Sequence, residues 1–190
     1  MQEPGKVFDF VDIEKVNPRI KVDIRYATKD NFTGQIVYPL SKCFLRKRTA
    51  WKLNKVQKEL EKKGLSLKVW DGYRPLHVQK IFWNLVPDER FVGNPFGKGS
   101  KHNRGAAVDV TLIDLQGNEL LMPSGFDDFS ERASRDCLST PSEAQANSKY
   151  LEELMYDQGF IGYPSEWWHY DDNEWESYPI EDISLEELAT

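Results

Sequence analysis

Two stretches of this sequence place an apolar residue at every second position, and this pattern constrains the fold more than any other feature. The apolar positions are Leu65, Leu67 and Val69 in the first stretch and Val108, Val110 and Leu112 in the second. Successive side chains of a β-strand point to opposite faces, so the pattern predicts two strands with one buried face each. An Asp71-Gly72 turn ends the first, and Gln116-Gly117-Asn118 turns the second toward a further strand.

The residues between and around these strands show helical spacing. Residues 46–63 predict an amphipathic helix with a basic, solvated face and with Gly64 as its C-cap. Pro75 fits the first turn of a short helix that Pro87 stops. Nearer the N-terminus, Val22, Ile24 and Tyr26 alternate with charged residues and predict another strand, followed by a turn at Asn31, Thr33 and Gly34.

A further helix is indicated near residues 141–158. Thr140 fits its N-cap, Pro141 its first position, and Glu143 completes a capping box. Gly159 ends it, and an aromatic strand or loop follows at residues 163–170.

Strands and helices mixed in this order predict an α+β fold, with a mainly antiparallel central sheet flanked by helices. At 190 residues the chain fits a single domain, with a core of about residues 20–170. Residues 171–190 are acidic with few apolar positions, so we expect this tail to pack loosely or fray.

Charge and composition exclude several classes of function. A net charge of −6 argues against a nucleic-acid-binding protein and against attraction to anionic membranes. The sequence has neither an apolar stretch that could cross a bilayer nor a secretory signal at its N-terminus, which favours the cytoplasm, or the periplasm if a signal peptide has been removed. Cys43 and Cys137 are interpreted as free thiols, since one possible pair is no disulfide framework.

Two of the three histidines stand in patterns that suit a metal site. His102 lies in a glycine-rich loop seven residues before Asp109, which projects opposite to Val108 and Val110 on the predicted strand. A loop imidazole and a strand carboxylate are a workable pair of ligands, and His169 offers a third, as catalytic zinc requires. Taken alone, His102 is also compatible with a solvated loop residue, Asp109 with a strand-edge charge, and His169 with a core histidine.

Four other positions suggest chemistry. Glu166 could be the general base for a metal-activated water, provided that a turn, a bulge or a twist brings it to the same side as His169. Arg74 is placed by a rigid turn and could stabilise a developing oxyanion. Asp127 or Asp128 could pair with the ammonium group of a substrate. Ordinary ion pairs and solvated turn acids are the alternatives. His77 fits a packing residue, or one that supports a ligand, better than a ligand.

Taken together in chain order, these residues form motifs of a known family. The motifs are Asp23-x-Arg25-Tyr26-Ala27-Thr28, Asn31-Phe32-Thr33-Gly34, Tyr73-Arg74-Pro75, Ser-x-His-x-x-Gly-x-Ala-x-Asp over residues 100–109, Phe126-Asp127, and Glu-x-Trp-His over residues 166–169. The set resembles the D-alanyl-D-alanine dipeptidases, zinc peptidases that share a fold with lysostaphin and the hedgehog signalling domain. The resemblance spans roughly residues 20–170.

The resemblance implies a role for each candidate residue. His102, Asp109 and His169 would bind one Zn2+ per chain, Glu166 would activate water and protonate the leaving amine, and Arg74 would stabilise the tetrahedral intermediate. The implied substrate-binding residues are Ser100, Asp127 and Tyr26, with Asp128 an open alternative to Asp127. The implied reaction hydrolyses the small D,D-dipeptide to two D-alanines; the oligomeric state stays open.

Two alternatives remain at this point. A D,D-carboxypeptidase acting on longer cell-wall peptides would use the same zinc machinery. A hedgehog-like binding module would keep only the metal site, but Glu166 and Arg74 argue against it, because simple metal binding needs neither.

Overall fold

The computed structural model describes residues 9–190, which form seven strands and five α-helices. The strands are β1 (Phe10–Asp12), β2 (Lys21–Val22), β3 (Phe44–Arg46), β4 (Ser66–Asp71), β5 (Ala107–Ile113), β6 (Phe160–Tyr163) and β7 (Glu166–Asp172). The helices are α1 (Ile13–Val16), α2 (Lys47–Glu61), α3 (Leu76–Leu85), α4 (Ser142–Asp157) and α5 (Leu185–Ala189). Short 3-10 turns include Arg25–Ala27 and Lys101–Arg104.

A five-stranded sheet in the order β2-β4-β5-β7-β6 organises the molecule. The β2–β4 pair is parallel and the other three pairs are antiparallel. Strands β1 and β3 form a separate antiparallel pair. Helices α2 and α4 contact each other and pack against the sheet. The predicted α+β class with a mainly antiparallel sheet is therefore confirmed.

The two strands predicted from alternation lie side by side at the centre of this sheet. Val69 of β4 pairs with Val110 of β5, and both are fully buried. Helix α2 buries Leu53 and Val56 from its apolar face, and the chain leaves the helix through Gly64 at φ +69°. A residue with a Cβ is disfavoured in that left-handed conformation, which explains the glycine.

Three local predictions were wrong. The turn at residues 116–118 leads to a single bridge, Ile113 with Glu119, because the chain then leaves the sheet. The strand predicted through Tyr26 stops at Val22 and becomes a 3-10 turn. Helix α4 begins one residue late: Pro141 is its N-cap, and no capping box forms, because the Thr140 hydroxyl donates to the Cys137 carbonyl.

The acidic C-terminal segment is packed, and the prediction that it is loose or frayed was wrong. Leu185 and Ile183 are buried, and the Tyr73 hydroxyl accepts from the Ile183 amide at 2.9 Å and donates to its carbonyl at 3.1 Å.

His77 lies at the surface at the start of α3, where it pairs with Asp182 at 2.6 Å. It therefore neither packs in the core nor supports a metal ligand.

Both cysteines are free thiols, Cys43 buried and Cys137 partly exposed. Burial raises the pKa of the Cys43 thiol well above its usual range.

Among residues 9–190, no helix has the length and apolar character to span a membrane.

Candidate metal centre and substrate cavity

Three elements bring His102, Asp109 and His169 together. Asp109 on β5 is directly opposite His169 on β7 in the sheet register, and His102 lies in the 3-10 turn just before β5. The Nδ1 atom of His169 lies 3.0 Å from Asp109 Oδ1 and 3.1 Å from His102 Nε2. The third edge, between His102 Nε2 and Asp109 Oδ1, measures 3.3 Å. All three side chains are buried.

This triangle fits a tetrahedral metal. Ligand atoms at the usual zinc distances of about 2.0–2.1 Å lie roughly 3.3 Å apart at the corners of a tetrahedron. Two imidazoles and one carboxylate form a known catalytic ligand class that leaves a fourth corner open. Burial alone would raise the pKa of Asp109, but His102 and His169 hold it well below its usual range, so the carboxylate is ionised as a ligand must be.

The other nitrogen of each imidazole has a partner that fixes the orientation of the ring. His102 Nδ1 lies 2.7 Å from the Gly72 carbonyl, and His169 Nε2 lies 2.8 Å from Asp171 Oδ1. Donation to these acceptors leaves His102 Nε2 and His169 Nδ1 free to bind metal. Sequence reasoning missed Asp171, although strand parity offered a signal: residues two apart on β7 face the same side.

Glu166 reaches the same side of the sheet through an irregularity in β7. The β6–β7 register shifts between Gly162, which pairs with Tyr170, and Tyr163, which pairs with Glu166. Such an irregularity is what the sequence required for Glu166 and His169 to face one site. Glu166 Oε2 lies 3.7 Å from His169 Nδ1, and burial raises the pKa of this carboxyl.

Arg74 lies at the cavity, held by side chains from two elements. Its Nε and Nη2 donate to Asp71 Oδ2 at 3.2 and 2.7 Å, and its Nη1 donates to Gln79 Oε1 at 2.8 Å. Burial would lower the pKa of Arg74, but Asp71 outweighs it and keeps the pKa well above the usual range. Asp71 is itself fully buried and accepts from Tyr38 at 2.8 Å. From the sequence, Asp71 was placed only in a turn and Gln79 was not selected, so neither was predicted to hold Arg74.

The three predicted substrate-binding residues also line this cavity. The Tyr26 hydroxyl lies 3.1 and 3.2 Å from the two carboxylate oxygens of Asp127. Burial, with Asp109 nearby, raises the pKa of Asp127 to about 7. Asp128 instead accepts from the Ser130 amide at 2.8 Å. Ser100 caps the turn that holds His102, whose amide donates to its Oγ at 3.2 Å.

Aromatic side chains form much of the cavity wall. Trp168 lines the cavity, whereas Trp167 packs against Trp70 and donates from its indole nitrogen to Ser124 at 3.0 Å. Five further aromatic residues line the wall: Phe32, Phe82, Phe91, Phe129 and Tyr163. Of these, only Phe32 belongs to a motif found in the sequence.

Comparison with known proteins is consistent with this geometry. The family model described as D-ala-D-ala dipeptidase matches residues 6–183. The D-alanyl-D-alanine dipeptidase of Escherichia coli is 37% identical over 172 residues, which cover 90% of this chain and 89% of that protein. The enzyme of the same name from Streptomyces coelicolor is 34% identical over 182 residues, covering 85% and 90%.

Among solved structures, the LdcB LD-carboxypeptidase aligns with 89% of this chain and 71% of its own, with 22% identity and a TM-score of 0.49. Likeness at that level supports no inference about activity.

Proposed function

This chain belongs to the D-Ala-D-Ala dipeptidase family of peptidases, and we propose that it hydrolyses the dipeptide D-alanyl-D-alanine to two D-alanines at the centre formed by His102, Asp109 and His169. The observation that most strongly supports this proposal is the triangle of two imidazole nitrogens and one carboxylate oxygen, with edges of 3.0–3.3 Å. Glu166 stands beside it without belonging to it.

We propose that the centre holds one zinc ion per chain, through His102 Nε2, His169 Nδ1 and Asp109. Zinc bound by three protein ligands polarises a substrate carbonyl and lowers the pKa of a water at the open position. The Gly72 carbonyl and Asp171 keep the two imidazoles in the tautomers that this requires.

Glu166 is the proposed general base. Its carboxylate lies beside the metal ligands, where it accepts a proton from the attacking water and then donates it to the leaving amine. The raised pKa of Glu166 suits both transfers, because a base poised nearer to neutral pH also acts as an acid.

Arg74 is the proposed electrostatic stabiliser of the tetrahedral intermediate. Its guanidinium is always charged, and Asp71 and Gln79 hold it at the cavity before substrate arrives. No reorganisation of the side chain is then needed at the moment when negative charge develops on the substrate oxygen.

The ends of a dipeptide carry opposite charges, and we propose that Asp127 pairs with the ammonium, with Tyr26 holding the Asp127 carboxylate. In this proposal Ser100, which lines the same cavity, would contact the substrate through its hydroxyl. We further propose that the chain acts as one peptidase domain and that it acts in the cytoplasm, where the free thiols Cys43 and Cys137 would stay reduced.

The test is release of D-alanine by the zinc-loaded protein from three substrates at one pH: D-Ala-D-Ala, its N-acetyl derivative and a cell-wall pentapeptide ending in D-Ala-D-Ala. The proposal expects kcat/KM to be highest for the free dipeptide. Equal cleavage of the pentapeptide would replace the dipeptidase by a D,D-carboxypeptidase and leave the metal centre standing.

A further inference from the structure

One buried amide side chain joins Arg74 to the wall of the substrate cavity. Gln79 of α3 is fully buried. Its Oε1 accepts from Arg74 Nη1 at 2.8 Å, and its Nε2 donates to the Gly93 carbonyl at 2.8 Å. Only one orientation of the amide satisfies both partners, since Arg74 has only donors to offer and a carbonyl only accepts.

On the Arg74 side, Gln79 completes the restraint of the guanidinium. Asp71 takes the Nε–H and one Nη2–H, and Gln79 takes one Nη1–H. Of the five N–H groups of an arginine, two then remain for a substrate, one on Nη1 and one on Nη2. The guanidinium carbon lies 5.4 Å from the centre of the Tyr26 ring and 4.8 Å from the centre of the Phe82 ring. These two rings restrict movement of the guanidinium group.

On the other side, Gln79 holds the first residue of a closed loop. In residues 93–100, the amides of Gly97 and Gly99 both donate to the Asn94 carbonyl, at 3.1 and 2.9 Å. A Cβ at Gly93 would lie 2.8 Å from the Gly99 carbonyl oxygen, so the two ends of the loop are in close contact. The loop leads directly into Ser100, and Gly93, Gly99 and Ser100 all line the cavity.

We propose that Gln79 is a positioning residue that couples the orientation of Arg74 to the loop of residues 93–100, so that one side chain sets both the electrostatic stabiliser and one wall of the substrate cavity. This inference rests on the proposed function, in which Arg74 acts on the substrate. It predicts that changes at Gln79 alter kcat through Arg74 and KM through the loop.

A merely structural role predicts something else, namely a loss of stability without a change in kinetics. The chain offers a matched control in Gln57, a second fully buried glutamine, on α2. Its Oε1 accepts from the Leu67 amide at 2.9 Å and its Nε2 donates to Glu61 at 3.0 Å, so it too bonds at both ends of its amide. Gln57 is not among the cavity residues.

The experiment measures kcat, KM and the melting temperature of the zinc-loaded Gln79→Met and Gln57→Met variants with D-Ala-D-Ala as substrate. Methionine keeps the length of the side chain and removes both hydrogen bonds. We expect Gln79→Met to lower kcat by about 10- to 10²-fold, the effect of a misplaced catalytic group. Gln57→Met should lower the melting temperature and leave kcat within about twofold of the unsubstituted protein, since it lies outside the site.

A double-mutant cycle then tests the coupling itself. With Arg74 already replaced by Ala, adding Gln79→Met should lower kcat little further, because the group that Gln79 positions is gone. If Gln79→Met lowers kcat equally in both backgrounds, or lowers only the melting temperature, the inference is wrong while the proposed function stands. If the unsubstituted protein prefers the pentapeptide, the same cycle on that substrate tests Gln79 independently of the dipeptidase proposal.

A second variant keeps the inference testable if Gln79→Met does not fold. Gln79→Glu retains an acceptor for Arg74 but, when ionised, has no proton to donate to the Gly93 carbonyl. We expect its kcat to fall less than that of Arg74→Ala and its KM for D-Ala-D-Ala to rise. An unchanged KM in Gln79→Glu would show that the loop does not depend on this bond and would overturn the proposed coupling.

Discussion

Asp109 and His169 are directly opposite each other on β5 and β7, and their nearest side-chain atoms lie 3.0 Å apart. Opposite residues of an antiparallel pair share a face, so the hydrogen bonds of the sheet fix the spacing of these two proposed ligands. His102 comes from a turn, but the Gly72 carbonyl, at the end of the neighbouring strand β4, holds its ring. The central sheet therefore builds the centre.

The first prediction concerns metal content. His102→Ala and His169→Ala should each lose zinc on dialysis against a chelator, because two remaining ligands hold zinc poorly. His77→Ala is the matched control: this third histidine lies at the surface and pairs with Asp182, so the variant should retain zinc. Elemental analysis checks all three, and full zinc retention in both ligand variants would refute the assignment.

The second prediction separates metal binding from chemistry. Glu166→Ala should keep zinc, because Glu166 lies outside the ligand triangle, yet kcat should fall by about 10²–10⁴ as expected on removal of a general base. Zinc content and kcat are measured on the same preparation. A near-normal kcat would exclude Glu166 from the mechanism.

From the sequence we could select residues that the structure brings together at the candidate site, but not the side chains that hold those residues in place. Asp109 and Glu166 could be selected because strand parity and motif spacing are local properties of the chain. Asp71 could not, because its bond to Arg74, three residues on, depends on where both side chains point after β4 ends, and its other partner, Tyr38, is 33 residues away. Gln79 was missed for the same reason: its contact with Arg74 depends on how the start of α3 packs, and its second partner, Gly93, lies beyond the end of α3.

The packing of the C-terminal segment could not be predicted from its amino-acid composition. Its acidic residues indicated loose packing, but Ile183 and Leu185 are buried in the structure. The docking partner, the hydroxyl of Tyr73, lies 110 residues earlier in the chain. Average composition over twenty residues cannot detect two buried apolar side chains and hydrogen bonds to residues far away in the chain.

The third prediction tests the residue that orients His169. Asp171→Ala removes the acceptor of His169 Nε2–H, and we expect zinc affinity to fall by about 10–100-fold. Competition with a fluorescent chelator measures the affinity. Asp157→Ala, an exposed change on α4, serves as the control and should leave the affinity unchanged. Equal affinities in the two variants would show that Asp171 does not support the ligand.

The fourth prediction concerns the docked C-terminus. Tyr73→Phe leaves the ring in place but leaves the buried amide of Ile183 without its acceptor, so the free energy of unfolding should fall by about 1–3 kcal/mol. Urea denaturation measures this value. Tyr156→Phe, at an exposed tyrosine of α4, should change it by less than about 0.5 kcal/mol. A Tyr73 variant as stable as the control would mean that the docking bonds contribute nothing.

The fifth prediction concerns recognition of the amino end of the substrate. Above the pKa of Asp127, about 7, the buried carboxylate is ionised and attracts an ammonium, and a substrate that cannot supply one leaves the carboxylate unpaired, at a cost of about 1–3 kcal/mol. N-acetyl-D-Ala-D-Ala should therefore be cleaved far more slowly than the free dipeptide. Asp127→Asn should narrow this difference, mainly by lowering kcat/KM for the free dipeptide.

Asp128→Asn is the matched control for that change, because Asp128 is the adjacent acid and bonds the Ser130 amide instead of Tyr26. It should keep the full preference for the free dipeptide, since the charge at the cavity is unchanged. The ratio of kcat/KM for free and acetylated substrates is the quantity to compare across the three proteins. If Asp128→Asn lowered this ratio and Asp127→Asn did not, the ammonium would bind to Asp128, and the contact between Asp127 and Tyr26 would serve only to hold the turn.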